Sequence, residues 1–289
     1  MTTTVRGPGG RALEVAVSGP ADGVPLITHH GTPGAAVPYA PAVEAAAERG
    51  LRHVVYSRPG YAGSDRDEGR DVAGCAADVA AILDALDAQR CYTYGESGGG
   101  PHALACAALL PDRVVKAATI AGVAPWDAEG LDWLAGMGEE NQAEFAAIQA
   151  GPDALRQFLE QARASLAALT GEQVAASLGD LIGEADRAAL TGAFADHLAT
   201  TIGAAVGAGT DGWFDDDMAF VRPWGFDLSA MSVPVTVWQG DDDRMVPFAH
   251  GEWLVEHIPG ARAALRPNEG HLSISEAARG EILDDLLAG

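Results

Sequence analysis

Lysine is nearly missing from this 289-residue chain: Lys116 is the only one, and every other basic residue is arginine. The 18 basic residues face 41 acidic ones, a formal charge of −23. A surface this negative repels a phosphate backbone and anionic headgroups, so neither nucleic acid nor a membrane surface is expected as a partner. It also disfavours a strongly anionic substrate. Set among abundant Ala and Gly, the lack of lysine reads as a compositional signature rather than a functional one. Cysteine is scarce too. Cys75, Cys91 and Cys106 are too few and too scattered for a disulfide framework or a zinc site, and each lies among small or apolar neighbours, as a buried free thiol does. No run approaches the ~18 apolar residues of a membrane span. The stretch from Met1 to Pro8 has no basic segment followed by an apolar one, so no secretory signal is expected and a reducing cytoplasm is the expected compartment. Internal repeats and long linkers are lacking as well.

What is present is an alternation of periods. Strand patterns occur at Ala12–Ser18, Val24–His29, His53–Tyr56, Cys91–Tyr94 and Val114–Ile120, with helical patterns over Pro38–Arg49, from Asp71 (a candidate N-cap) to Leu86, and over Gly98–Leu110. The rhythm resumes late, with strands at Val233–Trp238 and Arg262–Leu265 and helices at Phe248–His257 and Leu272–Leu287. Strands rich in β-branched residues, bounded by Gly/Pro loops and separated by helices, predict an α/β fold with a mostly parallel sheet covered on both faces. Between them, residues 126–228 show helical patterning with Gly-rich joints near Gly203 and Gly207. The expected organisation is a core in two segments, 1–125 and 229–289, interrupted by an all-helical insertion that does not fold alone. Such an insertion roofs a ligand site, because open α/β sheets bind at the carboxyl ends of their strands.

Chemistry begins at Gly95-Glu96-Ser97-Gly98-Gly99, directly after a predicted strand and opening a predicted helix. A sharp turn of this kind projects a serine hydroxyl above the sheet, and the helix N-terminus beside it offers positive potential and free N–H groups. The bland alternative is a Gly-rich turn. A serine needs a base and an orienting carboxylate, in the chain order Ser, acid, His. His271 is the histidine that leads a loop after the final strand. Asp241, Asp242 and Asp243 are acid candidates that spacing alone does not separate. An oxyanion would be received by the Gly98 N–H and by the Thr32 N–H of the loop His30-Gly31-Thr32-Pro33-Gly34, where glycine permits close backbone approach. His30 is expected to brace that loop rather than titrate.

At this point the sequence resembles the α/β-hydrolase superfamily, specifically serine hydrolases with a helical cap. The resemblance rests on His30-Gly31-Thr32-Pro33, Ser57-Arg58-Pro59-Gly60-Tyr61-Ala62-Gly63-Ser64, Gly95-Glu96-Ser97-Gly98-Gly99, Val233-Pro234-Val235, Gly240-x-x-Asp243-x-x-Val246-Pro247 and Gly270-His271. It implies that the acid is Asp243, third after the glycine, that Ser97, Asp243 and His271 form a triad, and that Thr32 supplies an oxyanion N–H. Haloalkane dehalogenases and epoxide hydrolases of that superfamily place an aspartate where Ser97 stands, and cofactor-free perhydrolases often place Met where Gly98 stands. Proline iminopeptidases carry a second Gly where Thr32 stands and need cap carboxylates for a substrate amine. Glu139, Glu140 and Asp215–Asp217 are available there, but the aspartate run reads as a solvated turn.

The implied activity is two-step acyl transfer on a small ester or lactone, a small-molecule acyl substrate, without metal or organic cofactor. A proline iminopeptidase-like or carbon–carbon bond hydrolase is the alternative. A ligand-binding protein on the same fold, without turnover, is the alternative from a different class. Trp126, Trp133, Met137, Phe214 and Trp224, with Met218 and Phe220, are the expected lid over an acyl pocket, or else ordinary cap core. Oligomeric state has no signature in the sequence.

Overall fold

The computed structural model describes residues 2–288. Eight strands form one sheet: β1 (Thr2–Arg6), β2 (Ala12–Ser18), β3 (Val24–His29), β4 (Leu51–Tyr56), β5 (Cys91–Glu96), β6 (Val114–Ile120), β7 (Val235–Gly240) and β8 (Arg262–Arg266). Their spatial order is β1-β2-β4-β3-β5-β6-β7-β8. β1 and β2 pair antiparallel, β2 runs antiparallel to β4, and all the other pairings are parallel. The α/β architecture read from the sequence is therefore the observed one. The chain direction reverses its lateral course at β3, whose neighbours are β4 and β5, and ligands of open parallel sheets gather at the strand ends beside such a switch.

Helices α1 (Ala40–Ala47), α2 (Cys75–Ala85) and α3 (Gly100–Leu109) connect the first half of the sheet. Between β6 and β7 come α4 (Glu139–Ala150), α5 (Pro152–Leu166), α6 (Gly171–Ser177), α7 (Glu184–Ala189), α8 (Gly192–Gly207) and α9 (Asp211–Phe220), with no strand among them. The chain closes with α10 (Phe248–His257), α11 (Ser273–Ala277) and α12 (Arg279–Leu287).

The alternation of side chains along a strand explains the two layers. On β3, Leu26 joins Ile282, Leu283 and Leu286 of α12 on one face, while the adjacent Ile27 joins Val79, Leu83 and Leu104 of α2 and α3 on the other. Both faces being covered, β7 is buried along all six residues. The second cluster also runs without a break into the helical segment, through Phe145, Leu155, Leu159, Val206 and Phe220. The three cysteines are free and buried.

Several local expectations shift. β1 carries no apolar alternation and buries only Val5, as an edge strand can. Asp71 caps the turn before α2, taking the Gly74 N–H at 2.9 Å, rather than the helix itself. Gly203 is not a joint but lies inside α8, whereas Gly207 is the last residue of α8 and leads into the short connection to α9. The final helix is two helices broken at Ala278.

Candidate active site

Ser97 follows β5 directly and holds a left-handed backbone, φ 53°. That conformation costs a non-glycine residue about 1–3 kcal/mol and persists only where the surroundings enforce it. Here they do so by close approach. A side chain at Gly95 would collide with the Gly99 carbonyl, and one at Gly99 would collide with the His29 carbonyl of the neighbouring strand. The turn over Ser97–Gly99 leads straight into α3, so the first N–H groups of this helical run lack helical acceptors.

Asp243 and His271 come from the loops after β7 and β8. His271 Nδ1 lies 2.9 Å and 3.1 Å from the two Asp243 carboxylate oxygens. The carboxylate is held from three further directions: Met245 and Val246 donate their N–H groups to Oδ1 at 2.9 and 2.8 Å, and Gln239 Nε2 donates to Oδ2 at 2.8 Å. The structure also separates the three aspartates. Asp241 accepts the Asn268 N–H at 2.7 Å and so ties the β7 and β8 loops together, and Asp242 faces Arg244 at 3.2 Å near solvent.

Electrostatics set His271 apart from the other buried histidines. Burial presses His29 down to about 3 and His53, His197 and His250 to about 4; it also puts His30 and His102 well below their ordinary value, with Arg58 assisting at both. Burial acts on His271 as well, but the charge and hydrogen bond of Asp243, with Asp186 and Glu96 behind it, lift that imidazole above its ordinary 6.5.

Thr32 sits in the loop after β3. Its N–H meets no protein acceptor among the described residues, and its hydroxyl donates to Asp216 Oδ2 at 2.8 Å while accepting from Arg58 Nη2 at 3.0 Å. Gly98 faces it closely, since a side chain there would collide with Thr32 Oγ1. His30 braces this loop. Nδ1 is 2.7 Å from the Gly31 carbonyl and Nε2 accepts the Arg58 N–H at 3.2 Å, the tautomer that a neutral ring allows.

A cavity of about 150 Å3 opens beside Ser97 and His271. Ala35, Val37, Phe194 and Leu198 give it apolar walls, and Tyr39, Glu276 and Arg279 give it a polar end. The residues of the helical segment that line it come from α8. Trp126, Trp133, Met137, Phe214 and Trp224, the expected pocket, do not line it. Trp126, Trp133 and Phe145 pack ring against ring with centroids 4.5–5.7 Å apart, and Trp133 Nε1 donates to the Ala124 carbonyl at 2.8 Å. Met137 is buried in the same core, Arg156 lies over the Phe214 ring at 3.9 Å, and Trp224 stacks towards Phe226. Large rings fill space, so they become core; the void lies where Ala35 and Thr201 leave room.

The acidic run is the larger correction. Asp215, Asp216 and Asp217 are not a solvated turn but a buried stretch of α9. Asp215 pairs with Arg66 at 2.7 Å. Asp216, fully buried, pairs with Arg58 and Arg70, each at 2.6 Å, and accepts from Tyr61 and Thr32. Burial opposes its charge, yet the two guanidiniums hold its carboxyl well below the usual range. Among the described residues no cation pairs with Asp217: burial and the facing Glu144 push it well up, and burial pushes Glu144 up to about 7. Glu139 and Glu140 sit near solvent at the start of α4, outside the cavity lining. The signal for this cluster was the trio Arg58, Arg66 and Arg70, whose partners lie on α9. Among the described residues no group of three or more His, Cys, Asp or Glu side chains is arranged to hold a metal, and no helix is long and apolar enough to cross a membrane.

Residues 24–278 match the alpha/beta hydrolase fold family. The chain is 30% identical over 284 residues to a non-heme chloroperoxidase of Streptomyces lividans, covering 93% of this chain and 92% of the relative. It is 27% identical over 253 residues to a 2-hydroxy-6-oxononadienedioate/2-hydroxy-6-oxononatrienedioate hydrolase of Cupriavidus pinatubonensis, covering 82% and 75%. Among solved structures, a hydrolase from Pseudomonas aeruginosa PA01 superposes with a TM-score of 0.70 at 20% identity, covering 100% of this chain and 98% of that one.

Proposed function

The chain belongs to the alpha/beta hydrolase fold family, and from that premise we propose that it is a serine hydrolase cleaving a small ester or lactone through an acyl-enzyme. One observation carries this: Ser97, held at φ 53°, and His271, hydrogen-bonded to Asp243, line the same cavity. In the proposed reaction His271 Nε2 takes the Ser97 proton as Oγ attacks the carbonyl carbon. Asp243 holds Nδ1–H and stabilises the imidazolium that forms. The N–H groups of Thr32 and Gly98 receive the oxyanion, each contributing on the order of 10²-fold or more in rate. His271 returns the proton to the leaving oxygen, and water then repeats the sequence on the acyl-enzyme.

The cavity favours a small, uncharged acyl group. About 150 Å3 holds a benzene-sized group. Its cationic group among the described residues, Arg279, is already paired with Glu276, and burial keeps the pKa of the neighbouring Glu96 raised. A dianion of the kind named for the carbon–carbon bond hydrolase relative would find no free counter-charge there, so ester or lactone cleavage is preferred over that chemistry.

The test is labelling with a fluorophosphonate probe together with turnover of short esters, longer esters, lactones, aminoacyl amides and a vinylogous diketone. Labelling at Ser97 and hydrolysis of the short esters or lactones, both abolished in Ser97→Ala, are expected. Native protein that binds such ligands but neither labels nor turns over would be a binding protein instead, and activity confined to amides or carbon–carbon bonds would overturn the substrate class.

A further inference from the structure

Asp186 is a fully buried carboxylate on α7, and among the described residues no arginine or lysine pairs with it. Its partners are three consecutive backbone N–H groups. His271 donates to Oδ2 at 3.1 Å, and Leu272 and Ser273 donate to Oδ1 at 2.9 and 2.8 Å. The approach is so close that any side chain at Gly270 would collide with the carboxylate. A buried charge is tolerated without a counter-ion only where several charge-assisted hydrogen bonds satisfy it, and these three do so. The helical insertion thus reaches down to the one loop that carries the candidate base.

We propose that Asp186 is a positioning residue for His271, supplied by the cap: it pins the backbone of residues 271–273 so that Nδ1 stays on Asp243 and the opposite nitrogen stays turned to Ser97. The inference rests on the serine hydrolase reading above and deepens it, because it makes the cap part of the machinery rather than only a roof. Leu272 strengthens the link, since its side chain packs with Val174, Ile182 and Leu190 of the insertion. Two consequences follow. The base keeps its orientation only while the cap is seated. The Asp186 charge also adds to that of Asp243 and Glu96, the other ionisable groups facing the imidazole, in favouring its protonated form.

The decisive variants are Asp186→Asn, isosteric and uncharged, and Asp186→Ala, studied in the full chain. The His271 imidazole is titrated by NMR, and kcat and KM for a short p-nitrophenyl ester are normalised to sites labelled by fluorophosphonate. In Asp186→Asn the His271 titration and the acid limb of kcat/KM are expected to move together to lower pH, by on the order of half a unit or more. In Asp186→Ala, kcat per labelled site is expected to fall about tenfold or more with KM changed less than twofold, as expected when the base is misplaced. Lower yield of folded protein with unchanged kcat per site and an unmoved titration would make Asp186 merely structural and overturn the proposal. If Ala fails to fold, Asn decides. If the wild type proves inactive, the serine hydrolase reading falls while the NMR titration still decides the clamp.

Discussion

Asp216→Asn changes one atom type in the most enclosed ion cluster of the molecule. The wild-type carboxylate receives hydrogen bonds from Arg58 Nε and Nη2, Arg70 Nη2, Tyr61 OH and Thr32 Oγ1. An amide accepts on one side only; on the other its NH2 would face donors. Arg58, fully buried, and Arg70, nearly so, would then lose the charge that balances them. Removing one partner of a buried ion pair costs about 3–5 kcal/mol, chiefly because the remaining charge stays desolvated. At about 2–4 °C per kcal/mol for a chain of this size, the melting temperature should fall by roughly 6–20 °C. The next residue is the control. Burial and the facing Glu144 push the Asp217 carboxyl well above the usual range, so Asp217→Asn removes little balancing charge and should cost no more than about 1 kcal/mol. Thermal and urea unfolding followed by circular dichroism reads both. An Asp216→Asn midpoint within 3 °C of wild type, or a larger loss in Asp217→Asn, would refute the charge assignment within α9.

Glu144 makes stability fall as pH rises. Its carboxyl titrates near 4.5 when unfolded and near 7 when folded, so the stabilisation is complete below 4.5 and lost as pH rises through 7. A decline on the order of 1–3 kcal/mol over that window is expected from Glu144 in urea titrations, and Glu144→Gln should lessen it, Asp217 contributing in the same direction. His271 must be neutral to act as base and its pKa is raised, so kcat/KM should fall on acidification through a pKa above 6.5. Asp243→Asn should lower kcat by about 10³–10⁴-fold; a loss under tenfold would remove Asp243 as the orienting acid. Leu198→Ala should widen the cavity and shift preference towards longer acyl chains, whereas Trp133→Ala should cost about 3–5 kcal/mol of stability without moving that preference, a contrast that an ester-length series checks.

Much of this was visible in the order of residues because the relevant interactions are local. The strand-to-helix turn at Ser97 follows from Gly95 and Gly99, whose missing side chains are required by neighbours within a few residues or on the adjacent strand. Both faces of the sheet are covered, and the apolar strand runs say so. What stayed hidden depends on distant partners. Asp216 meets Arg58 across 158 residues and Arg70 across 146, and an aspartate run has no period by which burial could be inferred. Spacing left Asp241, Asp242 and Asp243 equivalent; only the hydrogen bonds of their loops distinguish them. The pocket was misread for a different reason. Volume marks aromatic side chains as important, but a cavity is made by the residues that leave volume empty.

The two buried carboxylates of the helical insertion bear on how this molecule could be recombined with its relatives. The insertion leaves the sheet after β6 and returns before β7, so it could be exchanged between homologues as a single cassette. Yet Asp186 is bonded to the loop after β8, and Asp216 to the loops after β3 and β4. A borrowed cassette would bring its own walls but would sever both attachments, leaving two buried arginines without their counter-charge and three backbone donors without acceptors. Chimeras of this chain should therefore tolerate exchange of the α4–α6 segment far better than exchange of α7 and α9.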